Sequence, residues 1–205
     1  MYKRQLVCAP ANSKEGQDYF AAMKCAVNYS FTNRLVMTQW IRETFEKIFN
    51  KDWESMEMHT VYGICHNVVK LEEHTVNGEK RKLFVHRKGA TRSFPDQPVL
   101  LAGSMGTASY ILKGTETSMQ KTFGSSAHGA GRAMSRHGAL RQFRGDQIQK
   151  ELADKGITAK SPSPKSLAEE APKAYKDVEN VIATVHNSGI SLKIVRVEPM
   201  GVLKG

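Results

Sequence analysis

A histidine set among small residues is the most chemically informative feature of this sequence. His128 is followed by Gly129 and Gly131, and then by Arg132 and Arg136. Glycines lack side-chain bulk, so a polyanion can approach the backbone N–H groups, and two arginines at the spacing of one helical turn supply charge. Imidazole can also attack phosphorus and carry a covalent intermediate. The pattern predicts phosphoryl or nucleotidyl chemistry at His128, and the alternative is a tight turn with a solvated histidine.

Positive charge is concentrated around this histidine. The formal net charge of the 205 residues is +10. Residues 79–144 contain twelve Lys and Arg against three Asp and Glu, so nine of the ten excess charges lie in this stretch. A basic region around a candidate nucleophile favours a polyanionic partner, with nucleic acid first. The alternative is a basic surface that is merely solvated.

Composition limits the class of protein. With 40% hydrophobic residues, the chain can form one core or part of a larger domain. Its three cysteines form no C-x-x-C pair, which favours a reducing compartment. The longest apolar run, near residues 99–102, is too short for a membrane span, and the first residues do not resemble a signal peptide. We therefore expect a cytoplasmic protein without membrane association.

Residue periodicity predicts the elements that position the histidine. Asn12 and Glu15 resemble a capping box, and Asn77-Gly78 between alternating residues predicts a β-hairpin. Helices and antiparallel-type strands are mixed along the chain without the repeated βαβ order of a parallel sheet, so the predicted fold class is α+β. The predicted helices are residues 12 into the forties, 147–155 and 171–186. The predicted strands are β-prone residues 58–66, the hairpin strands, the segments 98–102 and 107–112, and residues 190–197.

Several long segments, in order along essentially the whole chain, resemble the RtcB family of RNA-splicing ligases. The most specific are Val85-His-Arg-Lys-Gly-Ala-Thr-Arg92, Gly103-Ser-Met-Gly-Thr-Ala-Ser-Tyr110, Phe123-Gly-Ser-Ser-Ala-His-Gly-Ala-Gly-Arg132 and the closing Lys204-Gly205. Shorter matches are Asn33-Arg34, His66-Asn67 and Tyr175-Lys-Asp-Val178.

The resemblance implies a GTP- and Mn²⁺-dependent ligase that acts in tRNA splicing and RNA repair. Such an enzyme joins an RNA 3′-phosphate or 2′,3′-cyclic phosphate end to a 5′-hydroxyl end. By this resemblance, His128 attacks the α-phosphate of GTP and becomes guanylylated. The GMP then passes to the RNA 3′-phosphate, and attack by the 5′-hydroxyl forms the phosphodiester and releases GMP.

The resemblance also assigns the site residues. His66 is the implied manganese ligand, although a lone histidine at a strand end is more often structural. The implied nucleotide contacts are Asn67, Ala102, Gly103, Ser104, Met105, Ser109, Gly129, Ala130, Gly131, Tyr175 and Lys204. Tyr175 equally suits core packing on its predicted helix, and Lys204 would by default be frayed. The implied RNA or phosphate contacts are Arg87, Lys88, Arg92, Arg132 and Arg136.

The sequence departs from the family in its metal ligands. The family's first half, which carries the other metal ligands, has no counterpart here, and one imidazole would hold a divalent ion weakly. We therefore expect residues 1–205 to be the C-terminal portion of a single catalytic domain, with Met1 doubtful as a native start and little activity alone. The alternative function is a non-catalytic RNA-binding protein that keeps the basic groove. An archease-like activator is a further implied partner, and the oligomeric state is left open.

Overall fold

A computed structural model describes residues 7–202 and has the predicted α+β class. The helices are α1 (Lys14–Phe49), α2 (Glu116–Thr122), α3 (Arg136–Gln142), α4 (Gly145–Ala153), α5 (Pro164–Glu169), a 3₁₀ turn at Pro172–Ala174, and α6 (Val178–Asn187). The strands are β1 (Asn67–Val76), β2 (Glu79–Lys88), β3 (Ala90–Arg92), β4 (Pro98–Leu101), β5 (Ser109–Gly114), β6 (Ser125–Ala127) and β7 (Ser191–Val197).

The first helix begins at a side-chain cap. The Ser13 hydroxyl accepts a hydrogen bond from the Gly16 N–H at 3.1 Å, and Asn50 ends the helix in the left-handed conformation with φ of 50°. The cap is thus Ser13 and not the predicted Asn12. None of the 36 residues of α1 is buried in this structure. Phe20 packs edge to face on Phe84 of β2, with ring centroids 5.1 Å apart.

The predicted hairpin is confirmed. β1 and β2 pair antiparallel over their full length, from Asn67 opposite Lys88 to Val76 opposite Glu79. Asn77 and Gly78 both have positive φ, 52° and 83°, which the turn needs to match the twist of the strands. The hairpin therefore brings the residues before β1 next to those after β2.

The main core lies between a three-stranded antiparallel sheet and α6. The strand order is β4-β5-β7, and the inward faces of β4 and β5 pack on one side of α6. The Tyr110 hydroxyl donates to the Glu179 carboxylate at 2.5 Å, which ties β5 to α6. The buried residues of this core are Val99, Leu101, Ala108, Tyr110, Leu112, Ala130, Val178, Ile182 and Val185.

One predicted strand is wrong, and one predicted helix begins later than expected. Residues 58–66 form no strand, and the Arg42 guanidinium donates twice to the Met58 carbonyl, at 3.0 and 2.8 Å, which holds the start of the segment against α1. The predicted helix 171–186 begins only at Val178. Pro172 starts a 3₁₀ turn instead, and Asp177 caps α6 by accepting from the Glu179 N–H at 2.8 Å.

Within residues 7–202, no helix has both the length and the apolar character needed to span a bilayer. The three cysteines of that range, Cys8, Cys25 and Cys65, are free thiols.

Candidate active site

His128 is positioned by the pairing of two short strands. β3 pairs antiparallel with β6, so Ala90 lies opposite Ala127 and the residue before β3 meets the residue after β6. That places Gly89 beside His128. The Gly89 N–H donates to the His66 carbonyl at 2.8 Å, so the base of the hairpin and the histidine loop converge at this point.

The imidazole of His128 is fixed by one hydrogen bond. Its Nδ1 lies 2.6 Å from the Gly89 carbonyl oxygen. A carbonyl can only accept, so Nδ1 carries the proton and Nε2 keeps its lone pair. The side chain is half-buried, which differs from a solvated histidine in a turn. The tautomer leaves Nε2 as the atom able to attack an electrophile.

The surroundings also keep this imidazole neutral. Burial lowers the pKa of His128 below its ordinary value, and the charge of His66 lowers it further, while the hydrogen bond with Gly89 acts in the opposite direction. The rings of His66 and His128 have centroids 4.4 Å apart. A neutral ring is the nucleophilic form.

We expect His128 to titrate below its ordinary pKa of 6.5, in the Nδ1–H form. Because the folded-state pKa is lowered, the stability that this group contributes is complete above about pH 6.5 and declines as the pH falls from there towards the folded-state pKa. Two-bond ¹H–¹⁵N NMR spectra of the metal-free chain over pH 4–8 measure both properties. A pKa above 6.5, or an Nε2–H ring, would contradict this assignment.

The glycine-rich loop after His128 is held by backbone hydrogen bonds on both sides. The Ala102 N–H donates to the His128 carbonyl at 3.1 Å, and the Ala130 N–H donates to the Ala102 carbonyl at 2.9 Å. A Cβ on Gly129 would lie 2.8 Å from the Ala102 carbonyl oxygen, so this close approach requires glycine. Gly131 has φ of 70°, and its carbonyl accepts from the Lys176 N–H at 2.9 Å.

The second small-residue segment, residues 102–109, lies directly beside this loop. Gly103 donates its N–H to the Ser109 hydroxyl at 3.1 Å, and the Ser104 N–H donates to the Thr107 hydroxyl at 2.6 Å. Ser104 is buried, and Met105 packs on a second apolar cluster formed by Ala139, Ile148, Leu152, Ala171 and Ala174. Together with the histidine loop, this segment gathers most of the implied nucleotide contacts on one side of the site: Ala102, Gly103, Ser104, Met105, Ser109, Gly129, Ala130 and Gly131. Ala130 is part of the core, so only its backbone faces the loop.

The spacing predicted that Arg132 and Arg136 lie one turn apart on the same helix, but the structure does not have this arrangement. Arg132 precedes α3 and forms an isolated antiparallel bridge with Tyr175. Its guanidinium donates to the Tyr175 hydroxyl at 3.2 Å and to the Glu169 carbonyl at 2.7 Å. Tyr175 is in extended backbone rather than a helix, and both burial and its hydrogen bond to Glu170 raise its pKa. This pair fixes the far end of the histidine loop.

Arg87 is buried, which removes it from the candidate RNA contacts. Its side chain is 0% exposed and makes two hydrogen bonds to the Glu72 carboxylate, at 2.9 and 2.8 Å. The same guanidinium donates to the carbonyls of Phe123 and Gly124 at 2.9 and 3.1 Å, and to the Ser125 hydroxyl at 2.9 Å. Arg87 therefore joins the hairpin to the strand that precedes His128, and sequence alone gave it the wrong environment.

The other predicted phosphate contacts are more accessible. Lys88 is exposed next to Gly89, with its ammonium 3.4 Å from the Asn67 side-chain oxygen. Arg92 is half-buried over the Phe94 ring, and Arg136 is exposed at the start of α3. The remaining predicted nucleotide contact, Lys204, lies outside the described residues.

His66 fits one position of a metal site. Its Nδ1 is buried and has no hydrogen-bond partner, so that nitrogen is available to a cation or a donor. Among residues 7–202, however, no group of three or more His, Cys, Asp or Glu side chains could hold a metal ion. His66 can therefore serve as one ligand of a set that these residues do not complete.

Sequence reasoning missed Gly89 and Glu72. The Gly89 carbonyl selects the tautomer of His128. The signal available in the sequence was a glycine that directly follows a predicted strand.

Glu72 neutralises Arg87, but the sequence carried no signal for it. Glu72 shares its face with Lys70 and His74, which alternation assigns to solvent, whereas Glu72 is buried and Leu71 of the opposite face is exposed. His74 lies 3.2 Å from Glu72 and is 3% exposed.

Comparison with known proteins defines the class first. The family model described as tRNA-splicing ligase RtcB matches residues 1–205. The chain is 53% identical over 215 residues to the tRNA-splicing ligase RtcB of Thermococcus kodakarensis, covering 98% of this chain and 45% of that protein. It is 52% identical to the protein of the same name from Methanocaldococcus jannaschii, covering 98% of this chain and 22% of the relative.

The chain therefore belongs to the RtcB family. It spans less than half the length of these relatives.

Proposed function

We propose that this chain provides the nucleotidyl-transfer half of a GTP- and Mn²⁺-dependent RNA ligase that joins 3′-phosphate or 2′,3′-cyclic phosphate ends to 5′-hydroxyl ends. The observation that carries the proposal is the hydrogen bond between His128 Nδ1 and the Gly89 carbonyl, 2.6 Å long, because it leaves Nε2 unprotonated. Family membership supports the same reaction class. tRNA splicing and RNA repair are the processes that need it.

In this mechanism, His128 Nε2 attacks the α-phosphorus of GTP. A bond forms between Nε2 and phosphorus, the bond to the bridging oxygen breaks, and pyrophosphate leaves. The Gly89 carbonyl stabilises the positive ring that forms, since it holds the Nδ1 proton throughout. Ala130 already donates its N–H to the Ala102 carbonyl, so the phosphate would be contacted by the N–H groups of Gly129 and Gly131, which carry no side chain to obstruct it. An oxygen of the RNA 3′-phosphate then attacks the phosphorus of the adduct, and the bond to Nε2 breaks. Attack of the 5′-hydroxyl on the RNA phosphorus forms the phosphodiester and releases GMP.

His66 would hold the metal side of the site, and the adjacent Asn67 would contact the nucleotide. A bound Mn²⁺ would neutralise phosphate charge and stabilise the charge that develops during transfer. His66 contributes an imidazole with an unpartnered nitrogen, and Asn67 follows it at the start of β1. Because the described residues hold only this part of a ligand set, the proposal needs ligands from outside them.

Joining activity tests this division of ligands. The 205-residue chain alone should join a 3′-phosphate RNA to a 5′-hydroxyl RNA poorly or not at all, because one imidazole cannot fix the metal geometry. A hybrid in which this chain replaces the matching segment of the Thermococcus kodakarensis relative should be active. Gel assays with Mn²⁺ and GTP measure both. Efficient joining by the chain alone would contradict the proposed placement of the missing ligands.

RNA binding should depend on the accessible cations near the loop. We expect the slope of log K against log[salt] to flatten by about 0.7 to 1 in Arg136→Ala, because one phosphate contact is lost. Lys51→Ala removes the same charge from an exposed site just beyond α1, in a charge-balanced region, and should leave the slope unchanged. Titration of the hybrid with a short 3′-phosphate RNA provides the slopes. Equal slopes for wild type and both variants would identify a solvated basic surface.

The second candidate is a non-catalytic RNA-binding protein. The exposed cations at Lys88 and Arg136 are consistent with it, because they require no metal. The two functions differ in their need for His128. An RNA binder without chemistry would retain its full function in His128→Ala, whereas the ligase would lose joining.

A further inference from the structure

Two adjoining cavities lie between α1 and the segment that leads into β1. One, of about 260 Å³, is lined by residues that include Arg34, Ser30, His66 and Asn67. The other, of about 250 Å³, is lined by residues that include Lys70 and Arg92. Val27, Ile64 and Cys65 line both, so the two cavities adjoin, and together they are called the groove. The first cavity borders the candidate site through His66.

Arg34 has an unmet hydrogen-bonding requirement in this groove. Its Nη1 donates to the Ser30 hydroxyl at 2.6 Å, and its guanidinium lies over the Phe31 ring, 4.5 Å from the centroid. Its Nη2 is buried and has no partner. Guanidinium is always protonated, so this nitrogen can only donate, and leaving a charged donor buried without an acceptor is costly. A ligand that supplies an acceptor would remove that cost.

The groove is cationic and has no compensating acid. No Asp or Glu lines either cavity among the described residues. Burial lowers the pKa of Lys70, and the charge of Arg92 lowers it further, as expected where positive groups are close together. Both cavities therefore favour an anion.

We propose that the cavity at Arg34 binds the terminal phosphate of an RNA strand, and that the adjoining cavity with Lys70 and Arg92 receives the phosphate of the neighbouring nucleotide. This assignment rests on the proposed function, which supplies RNA as the substrate class. Two cationic cavities in series suit a polyanionic strand better than one isolated ion. The planar fork of Arg34 matches two phosphate oxygens at once, which a lysine cannot do. Arg34 thereby distinguishes a phosphorylated end from a hydroxyl end.

The test compares the binding of two short RNAs that differ only in a 3′-phosphate or a 3′-hydroxyl. The 205-residue chain is titrated with each labelled RNA by fluorescence anisotropy, in EDTA and without GTP. Wild type should prefer the phosphorylated RNA by about tenfold, the effect of a hydrogen bond to a charged group. Arg34→Gln should reduce this preference to less than about twofold. Lys47→Gln, an equal charge change at an exposed position of α1, should keep it.

Two further arms separate the possible results. Arg34→Lys keeps the charge and should retain only part of the preference, and circular dichroism confirms that each variant is folded. Inorganic phosphate is added as a competitor to distinguish a site for the free ion from a site for RNA. If low millimolar phosphate displaces the labelled RNA, the occupant is the free ion, and the proposal is overturned. Equal binding of both RNAs by wild type, or a full preference in Arg34→Gln, would also overturn it.

The outcome is independent of the nucleophile, because neither GTP nor metal is present. Loss of preference in Arg34→Gln would support this site even if His128 formed no adduct. Conversely, an adduct on His128 with an unchanged preference in Arg34→Gln would refute the Arg34 site alone.

Discussion

Replacing Glu72 with alanine is expected to lower the free energy of unfolding by about 3 to 5 kcal/mol, because the substitution leaves a buried guanidinium without its carboxylate. The side chains of Arg87 and Glu72 are 0% and 6% exposed, and they share two hydrogen bonds at 2.9 and 2.8 Å. Arg87 also holds the carbonyls of Phe123 and Gly124, so the histidine loop should loosen with the hairpin. Urea unfolding followed by circular dichroism measures the change.

The neighbouring residue provides a matched control. Glu73 is 54% exposed and lies 3.4 Å from Lys80 on the other face of the hairpin. Glu73→Ala should therefore cost less than about 1 kcal/mol. Similar losses for Glu72→Ala and Glu73→Ala would show that the buried pair does not hold the hairpin to the loop.

The same pair predicts a dependence of stability on pH. Burial raises the pKa of Glu72, but the hydrogen bonds and charge of Arg87, with a smaller effect of His74, bring it below the ordinary value of 4.5. Because the folded-state pKa is lowered, this contribution is present above about pH 4.5 and is lost as the pH falls through the folded-state value. Glu72→Ala should show a shallower loss of stability over that range than wild type.

Substitution of His128 with alanine is expected to abolish joining in the hybrid, a loss on the order of 10⁶-fold or to below detection, because no other group can take the place of a covalent nucleophile. His137→Ala is the control, since His137 is exposed on α3 and the same side chain is removed. The control should join RNA at nearly the wild-type rate. Substantial joining by His128→Ala, measured by gel assay, would place the nucleophile elsewhere.

Local signals in the sequence were sufficient for the hairpin and the main sheet. Asn77-Gly78 specifies a turn through its positive φ angles, and the short apolar runs of β4 and β5 indicate buried strands, although the faces that are buried are visible only in the structure. The long helix α1 was also predictable, because Tyr19, Met23, Val27 and Phe31 recur every four residues. The short elements α2, α3, α5, β3 and β6 have three to seven residues, which is too few for a periodicity to be visible.

The environment of individual charged residues was harder to predict. Arg87 belongs to a run of basic residues, a pattern that predicts exposed side chains. Its partner Glu72 is fifteen residues away and is identified only by the strand pairing. Similarly, the spacing of Arg132 and Arg136 suggested one helix, whereas the bridge between Arg132 and Tyr175 depends on a contact 43 residues apart. Long-range pairing determines both environments, and the spacing of residues along one segment does not report it.

The candidate nucleophile was identifiable from sequence, but its activation was not. Small residues around His128 indicated a site for a polyanion. The tautomer depends on Gly89, which reaches His128 only because β3 pairs with β6. The lowered pKa depends on burial and on His66, which lies 62 residues earlier in the chain.

The most direct test of the central claim is to identify the residue that becomes guanylylated. The hybrid is incubated with Mn²⁺ and GTP labelled at the α-phosphate, digested at neutral to alkaline pH to protect a phosphorus–nitrogen bond, and mapped by mass spectrometry. We predict one GMP adduct, on the peptide containing His128, which is absent in His128→Ala and present in His137→Ala. Label on a lysine, or label that persists in His128→Ala, would contradict the assignment of His128 as the nucleophile.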